Sequence, residues 1–307
     1  MAHRHHRGEG VSTRRPLLLA LSITTLFLVV EVVAAALSGS LALLSDAAHS
    51  VSDIAAIALS AVAAWMAGLP QTARRPFGFM RMESVAAMFN SLGLLVIVAM
   101  IVWQAAMRIA SPPEVRGGLV VATAFASLGA NALAARLLLG GARENLNTRG
   151  AFLHVLGDAL ASVAAIVAGM LVLLLGWHVA DPLLSLAVAA ILSVGAVRLL
   201  RQSLHVLLEG TPAGIDSKAL LDAMRGLRHV RDVHDLHIWT IASGYHAMSA
   251  HVQVSDCSKS EVQDLLQDVR RLAKDGFGIE HVTVQVESDD GECSEAHTPD
   301  AARRRGG

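Results

Sequence analysis

Charged side chains are scarce in this chain. Asp, Glu, Lys and Arg make up 17% of its 307 residues, against about 25% in an ordinary soluble protein. With 53% hydrophobic residues and a mean hydropathy of +0.51, that scarcity excludes a secreted globular enzyme and points to a membrane. Only two cysteines are present, Cys257 and Cys293, which is too few for a disulfide framework, so nothing argues for an oxidising compartment. The formal net charge of -1 excludes a basic nucleic-acid binder. No Gly-x-x-x-x-Gly-Lys loop occurs, so the chain itself does not use ATP as an energy source.

What is present divides in two. The residues before Glu209 include 9 acidic and 14 basic side chains, a balance of +5, whereas Glu209 onward holds 17 acidic and 11 basic, a balance of -6. The first part contains six apolar stretches long enough to cross a bilayer as helices, at about 16–38, 41–66, 83–107, 118–139, 148–175 and 180–201. The first begins with basic residues as a signal peptide does, but its apolar run is too long and further spans follow, so it is expected to be retained.

Arginines gather in the N-terminal arm (Arg4, Arg7, Arg14, Arg15), the second connection (Arg74, Arg75, Arg81) and the fourth (Arg136, Arg143, Arg149). The other connections hold only Arg108 and Arg116, so both termini are expected in the cytoplasm of a multi-pass inner-membrane protein.

Beyond Glu209 the composition is that of a soluble domain. Asp216 can cap a helix running to about Leu227. Val233 to Trp239 then alternate with a period of two, as do Tyr245 to Val254, a helix follows from Ser258 to Lys274, and Val282, Val284 and Val286 mark one face of a last strand. The order αββαβ suggests a two-layer sheet-and-helix domain. The expected division is a disordered arm over 1–15, a transmembrane domain over 16–208, a cytoplasmic domain over 209–288 and a disordered tail over 289–307.

Ionisable groups within apolar spans carry the functional signal, because each costs roughly 2.5–3.5 kcal/mol to insert. The second span holds Asp46, His49 and Asp53, which spacings of three and four put on one helical face; the fifth holds His154 and Asp158, again one turn apart. One such residue alone would be read as a hydrogen bond between helices. Two His-x-x-x-Asp pairs on antiparallel spans can instead face each other near mid-membrane, and two imidazoles with two carboxylates match a tetrahedral Zn²⁺ shell. Small residues follow both pairs, so helices can pack closely around them. Glu31, Asn90 and Asn131 are polar at depth and are read as hydrogen-bonding between helices.

The stretch Ser38-Gly39-Ser40-Leu41-Ala42-Leu43-Leu44-Ser45-Asp46-Ala47-Ala48-His49, continuing to Asp53, resembles the second-span signature of the cation diffusion facilitators, bacterial efflux carriers for zinc and related divalent metals. His154 to Asp158 stands where that family has its fifth-span pair, and Val233-His234-Asp235-Leu236-His237-Ile238-Trp239-Thr240 is similar to its cytoplasmic motif. The resemblance covers about residues 14–288. It implies six spans, a ferredoxin-like α+β cytoplasmic domain, a homodimer and exchange of metal for protons. It also implies that His49, Asp53, His154 and Asp158 form the transport site, with Asp46 supporting it from outside, and that His234, His251 and Glu287 are candidate ligands of a regulatory metal.

Some features set this chain apart. The connection from Leu69 to Gly78 holds neither His nor Asp, so no metal site is expected there, and Arg74 and Arg75 read as membrane anchors. With regular alternation His237 would lie on the strand face opposite His234, and the two could not share an ion. His281, Gln285 and Glu287 share a polar face, but Gln285 is a poor zinc ligand. His3, His5 and His6 form a short tract whose only signal is compositional, and Cys257, Cys293 and His297 are assigned no role.

The leading expectation is therefore a secondary transporter that exports Zn²⁺, with Cd²⁺ and Co²⁺ as further substrates, in exchange for protons; its partners are metal ions, protons, lipid and a second copy of the chain. The alternative is an intramembrane zinc-dependent hydrolase, which would need an open coordination position and a general base, and no spare Glu stands near the four ligands. A metal sensor anchored by inert spans is a third class, against which the polar ligands at depth argue.

Overall fold

The computed structural model describes residues 14–38, 41–110, 117–177, 179–255 and 257–288, with 14, 30–32, 34–38, 41–53, 110, 117–120, 123, 172 and 181 described as backbone only. The N-terminal histidine tract, Cys293, His297 and the expected disordered tail lie outside the described residues, and so do the side chains of Glu31, Asp46, His49 and Asp53. The chain divides into two compact units, 1–204 and 205–307.

The first unit is built from six helices: α1 (Arg14–Ser38), α2 (Leu41–Ala67), α3 (Met82–Ala110), α4 (Gly117–Glu144), α5 (Leu146–Leu175) and α6 (Ala180–Leu207). Each expected span falls on one of them. Within the described residues α3, α5, α6 and Ala124–Glu144 of α4 are long and apolar enough to cross a membrane. α1 begins at Arg14, so the last two residues of the expected arm are helical.

Helix ends follow capping rather than hydropathy. α4 continues five residues past the expected 139, to Glu144, and a single residue, Asn145, separates it from α5. The Asn145 side-chain oxygen accepts from the backbone N–H groups of Asn147 (2.8 Å) and Thr148 (3.1 Å), satisfying two donors that the first turn of α5 leaves open. Its amide donates to Glu83 at the start of α3 at 2.7 Å.

Two apolar clusters meet along α5. One joins Leu17 and Ala20 of α1, Ile57 and Ala61 of α2, Ala134 and Leu138 of α4, and Ala151 and Val155 of α5. The other joins Leu94 and Val98 of α3 with Val188, Ala189, Leu192 and Ala196 of α6, and Leu153, Leu160 and Ala164 of α5 pack on it. Small residues set the spacing, as membrane helices require in the absence of a hydrophobic drive between them. At Gly157 an added Cβ would come within 3.0 Å of Leu192 Cδ1, so a larger residue there would require the Leu192 side chain to shift.

The connection from α2 to α3 is a tight turn in which Thr72 and Arg75 form an isolated antiparallel bridge. The Arg75 guanidinium lies 4.1 Å from the centre of the Phe79 ring, a cation–π contact in addition to its expected anchoring role.

The second unit contains α7 (Ser217–Arg225), β1 (Val230–Ala242), β2 (Tyr245–Val254), α8 (Lys259–Arg271), which runs on into a π turn at Leu272–Gly276, and β3 (Ile279–Ser288). Asp216 caps α7, and Ser258 with Glu261 forms a capping box on α8. The sheet order is β1-β2-β3, with β1 and β2 antiparallel and β2 and β3 parallel, so α8 serves as the crossover. One sheet face buries Val233, Ile238, Met248, Ala250 and Val252 against Leu220 and Met224 of α7 and Leu265 and Val269 of α8. This is the expected αββαβ arrangement.

The expected alternation along β1 does not survive. Val233 and Ile238 both face the core although they are five positions apart, which a strand of strict period two cannot do. The pairing shows why. His234 stands opposite His251 and His237 opposite Ser249, so three steps on β1 match two on β2. The extra residue is absorbed by a bulge in which Asp235 takes a left-handed backbone conformation with φ of 50°. His237 therefore lies on the same face as His234, not the opposite one.

Candidate metal centres

The sequence picks out one metal centre in each unit. On α5, positions 147, 151, 154 and 158 lie on one stripe at spacings of four, three and four. His154 is buried at 5% exposure. Together with Asp158 it lines a cavity of about 310 Å³ bounded by α3, α5 and α6, whose other polar lining side chains are Gln104 and Ser185. Their expected partners on α2, His49 and Asp53, and Asp46 beside them, occupy helical backbone, while their side chains lie outside the described residues.

Amide and hydroxyl groups fix α2 against its neighbours. Asn147 of α5 donates to the Ser60 carbonyl oxygen at 2.6 Å, and Asn90 of α3 donates to Ser60 Oγ at 2.8 Å. Ser60 lies seven residues, two turns, beyond Asp53, as Asn147 lies two turns before His154. On the other side of the α5 pair, Ser162 Oγ donates to the Asp158 carbonyl oxygen at 2.8 Å and lies 3.3 Å from Ser127 Oγ of α4. Asn131 donates to Ser127 at 3.3 Å within α4. Asn90 thus bonds between helices as expected; among the described residues, Asn131 bonds to Ser127, which in turn lies beside Ser162 of α5. Asn147 and Ser60 tie α2 to its neighbours and are not singled out in the sequence; their signal is their place on the same helical stripes as the two His-x-x-x-Asp pairs.

The second unit brings His234, His251 and Glu287 together. They come from β1, β2 and β3, and one ligand atom from each lies within 4.8 Å of the others. His251 Nδ1 is 2.8 Å and His234 Nε2 is 3.3 Å from the Glu287 carboxylate. The two rings meet edge to face at 5.4 Å between centroids, so their nitrogens converge rather than stack. Zinc bonds of about 2.0–2.1 Å put tetrahedral ligand atoms roughly 3.4 Å apart. The three ligand atoms lie within 4.8 Å of one another, close enough for small side-chain shifts to bring them to that spacing, and two imidazoles with a carboxylate are a donor set that suits zinc.

Two further residues adjoin it. His237 Nε2 is 2.9 Å from Asp235 Oδ1, and Asp235 Oδ2 is 3.9 Å from His251 Nε2. Asp235 is not among the expected site residues, because regular alternation would turn it toward the core. The opposite parity of Val233 and Ile238 is the clue that the sequence offers. Gln285 donates to Glu287 at 3.1 Å and so takes part as a support for the carboxylate. Among the described residues, His281 does not join the three-residue cluster.

Comparison with known proteins bears on both units. Residues 17–208 match the cation efflux transmembrane domain, and residues 212–289 match the cytoplasmic domain of cation efflux proteins. The chain is 42% identical over 294 residues to the zinc transporter ZitB of Escherichia coli (strain K12), covering 94% of this chain and 93% of that protein. It is 35% identical over 305 residues to a cadmium, cobalt and zinc/H(+)-K(+) antiporter of Bacillus subtilis (strain 168), covering 98% and 95%. A solved structure of the metal-bound C-terminal domain of the CzcD transporter from Cuprividus metallidurans is 30% identical, covers 24% of this chain and 99% of that one, and has a TM-score of 0.22. Full-length similarity to metal carriers leaves no room for the hydrolase alternative. With both units matched in order, the chain belongs to the cation diffusion facilitator family of divalent-metal efflux transporters.

Proposed function

We propose that this transporter exports Zn²⁺ from the cytoplasm in exchange for protons through His49, Asp53, His154 and Asp158. The observation that carries the reading is the α5 pair: a buried histidine and a carboxylate one turn apart, both lining a partly open cleft between α3, α5 and α6 of an apolar helical unit. Two carboxylates offset the charge of the ion where water cannot, and two imidazoles favour zinc over harder cations. Cd²⁺ and Co²⁺ are further substrates, in keeping with the names of relatives.

Proton coupling follows from the chemistry of the donors. Imidazole, with an ordinary pKa of about 6.5, and carboxylate must both be deprotonated to hold the ion, so protons arriving from outside displace zinc and zinc arriving from the cytoplasm displaces protons. Alternating exposure of one site to the two sides then completes the exchange. The protein works as a homodimer in the inner membrane with both termini in the cytoplasm, and His234, His251 and Glu287 hold a regulatory zinc, with water or a donor outside the cluster in the fourth position.

Proteoliposomes loaded with a zinc-sensitive dye and a pH indicator test the proposal. Zinc entry should drive proton movement in the opposite direction, and collapse of the proton gradient at fixed membrane potential should slow zinc. Zinc flux at an unaltered rate without proton counterflow would rule out the exchange and leave a zinc carrier.

A further inference from the structure

Resting on the reading of His234, His251 and Glu287 as a metal centre, we propose that Asp235 is its positioning residue: its carboxylate holds the Nε2–H of His251, leaving Nδ1 free to bind a divalent cation.

The argument begins with the two ends of one ring. His251 Nδ1 faces Glu287 Oε1 at 2.8 Å and His251 Nε2 faces Asp235 Oδ2 at 3.9 Å, so a carboxylate stands at each nitrogen. A neutral imidazole carries one proton. Without metal, Glu287 favours that proton on Nδ1, the atom that must be bare to join His234 Nε2 and Glu287 around an ion. Binding therefore requires the proton on Nε2, and Asp235 is the group there to accept its hydrogen bond. A metal-bound histidine that donates its other N–H to a carboxylate is oriented and made more basic by it.

At 3.9 Å the contact is longer than a hydrogen bond, and the ring has to close on Asp235 by about 1 Å.

The backbone is shaped for this contact. In a regular strand Asp235 would point to the face opposite His234, into the core with Val233. The bulge with its left-handed φ at Asp235 turns the carboxylate onto the metal face, a conformation that Asp tolerates better than most side chains. His237 Nε2 at 2.9 Å from Oδ1 holds the carboxylate from its other side, and only 18% of the Asp235 side chain is exposed, so water screens the contact weakly.

The test uses the full-length protein in detergent with the transport centre silenced by Asp158→Ala. Zinc affinity of the remaining centre is measured by competition with a chromophoric chelator, and the His251 ring nitrogens are followed by ¹⁵N NMR with and without zinc. Asp235→Asn tolerates the left-handed backbone and keeps the volume, so the fold is retained while the charge is removed. Zinc affinity should fall about tenfold in Asp235→Asn and up to about a hundredfold in Asp235→Ala. The zinc-loaded parent should show metal on Nδ1 and a proton on Nε2. Unchanged affinity in Asp235→Asn and Asp235→Ala, or metal on Nε2, would overturn the role of Asp235 while leaving the metal centre in place. Unchanged affinity in His234→Ala would instead remove the metal centre itself and the proposal with it.

Discussion

The two units gather their proposed ligands in different ways. The membrane unit takes each pair from a single helix, where a spacing of four residues alone puts His154 above Asp158. The cytoplasmic unit takes one ligand from each of three strands, and their meeting depends on the pairing of β1 with β2, of β2 with β3, and on one bulge. The membrane unit has few polar side chains and ties them between helices, as Asn90 and Asn147 are tied to Ser60. The cytoplasmic unit closes its core on one sheet face and leaves the other to histidines and carboxylates. Helical ligand pairs are local and robust to changes elsewhere; sheet-borne clusters are hostage to register.

That contrast can be broken most directly at the transport pair. Asp158→Ala should reduce zinc flux in proteoliposomes to that of protein-free vesicles while the protein still reaches the membrane, and Asp53→Ala should do the same. Wild-type flux in either variant at matched protein level would remove that residue from the ligand set. Truncation after Gly210 should lower flux and dimer formation yet leave zinc binding in the membrane unit, because all four proposed ligands precede it. A folded truncation that bound no zinc would shift the centre of function to the other unit.

The sheet-borne cluster should be the more fragile to core changes. Met248 is fully buried between the sheet and its helices, and Met248→Ala should destabilise the cytoplasmic unit by about 2–5 kcal/mol and lower zinc affinity at His234, His251 and Glu287 by loosening the strands. Calorimetry of the full chain would show the transition of the cytoplasmic unit moving to lower temperature; an unmoved transition would mean that the sheet does not rest on this residue. Ser258→Ala removes the capping box that starts the crossover helix and should cost about 1 kcal/mol in the same measurement.

Mild acid should produce the smallest change. Burial pushes the His246 imidazole below its ordinary value, against a weaker opposing pull from Glu280. The unfolded chain then binds a proton more readily than the folded one, so this contribution to stability is present above pH about 6.5 and is lost as the pH falls below it. Hydrogen bonds from Ser258 hold the Glu261 carboxyl below its ordinary value, so its contribution disappears only at lower pH, on protonation of the carboxylate. The melting transition of the metal-free protein should fall modestly between pH 7.5 and 5.5 and less so in His246→Gln.

Much of the fold is legible in the order of the residues. Apolar runs locate six helices, because a membrane helix must be apolar along its whole length, and i, i+4 spacing locates the ligand pairs. The junction of α4 and α5 is not legible in this way, since Asn145 stops and restarts the helix through hydrogen bonds that no hydropathy window registers. In the cytoplasmic unit alternation marks β2 to its ends, from Tyr245 to Val254, whereas along β1 it puts His237 on the wrong face.

The amino-acid sequence by itself determined that this is a membrane protein of apolar helices with an αββαβ appendage, because composition, helical periodicity and strand alternation are local properties of the chain. Only the tertiary structure decided which strand face His237 and Asp235 occupy, that the α5 pair lines a cavity with α3 and α6, and that Asn90 and Asn147 converge on Ser60. Each of those depends on which residues distant in the chain come to lie side by side. A one-residue bulge reverses the orientation of every side chain beyond it without leaving a local trace in the hydrophobic pattern strong enough to place it.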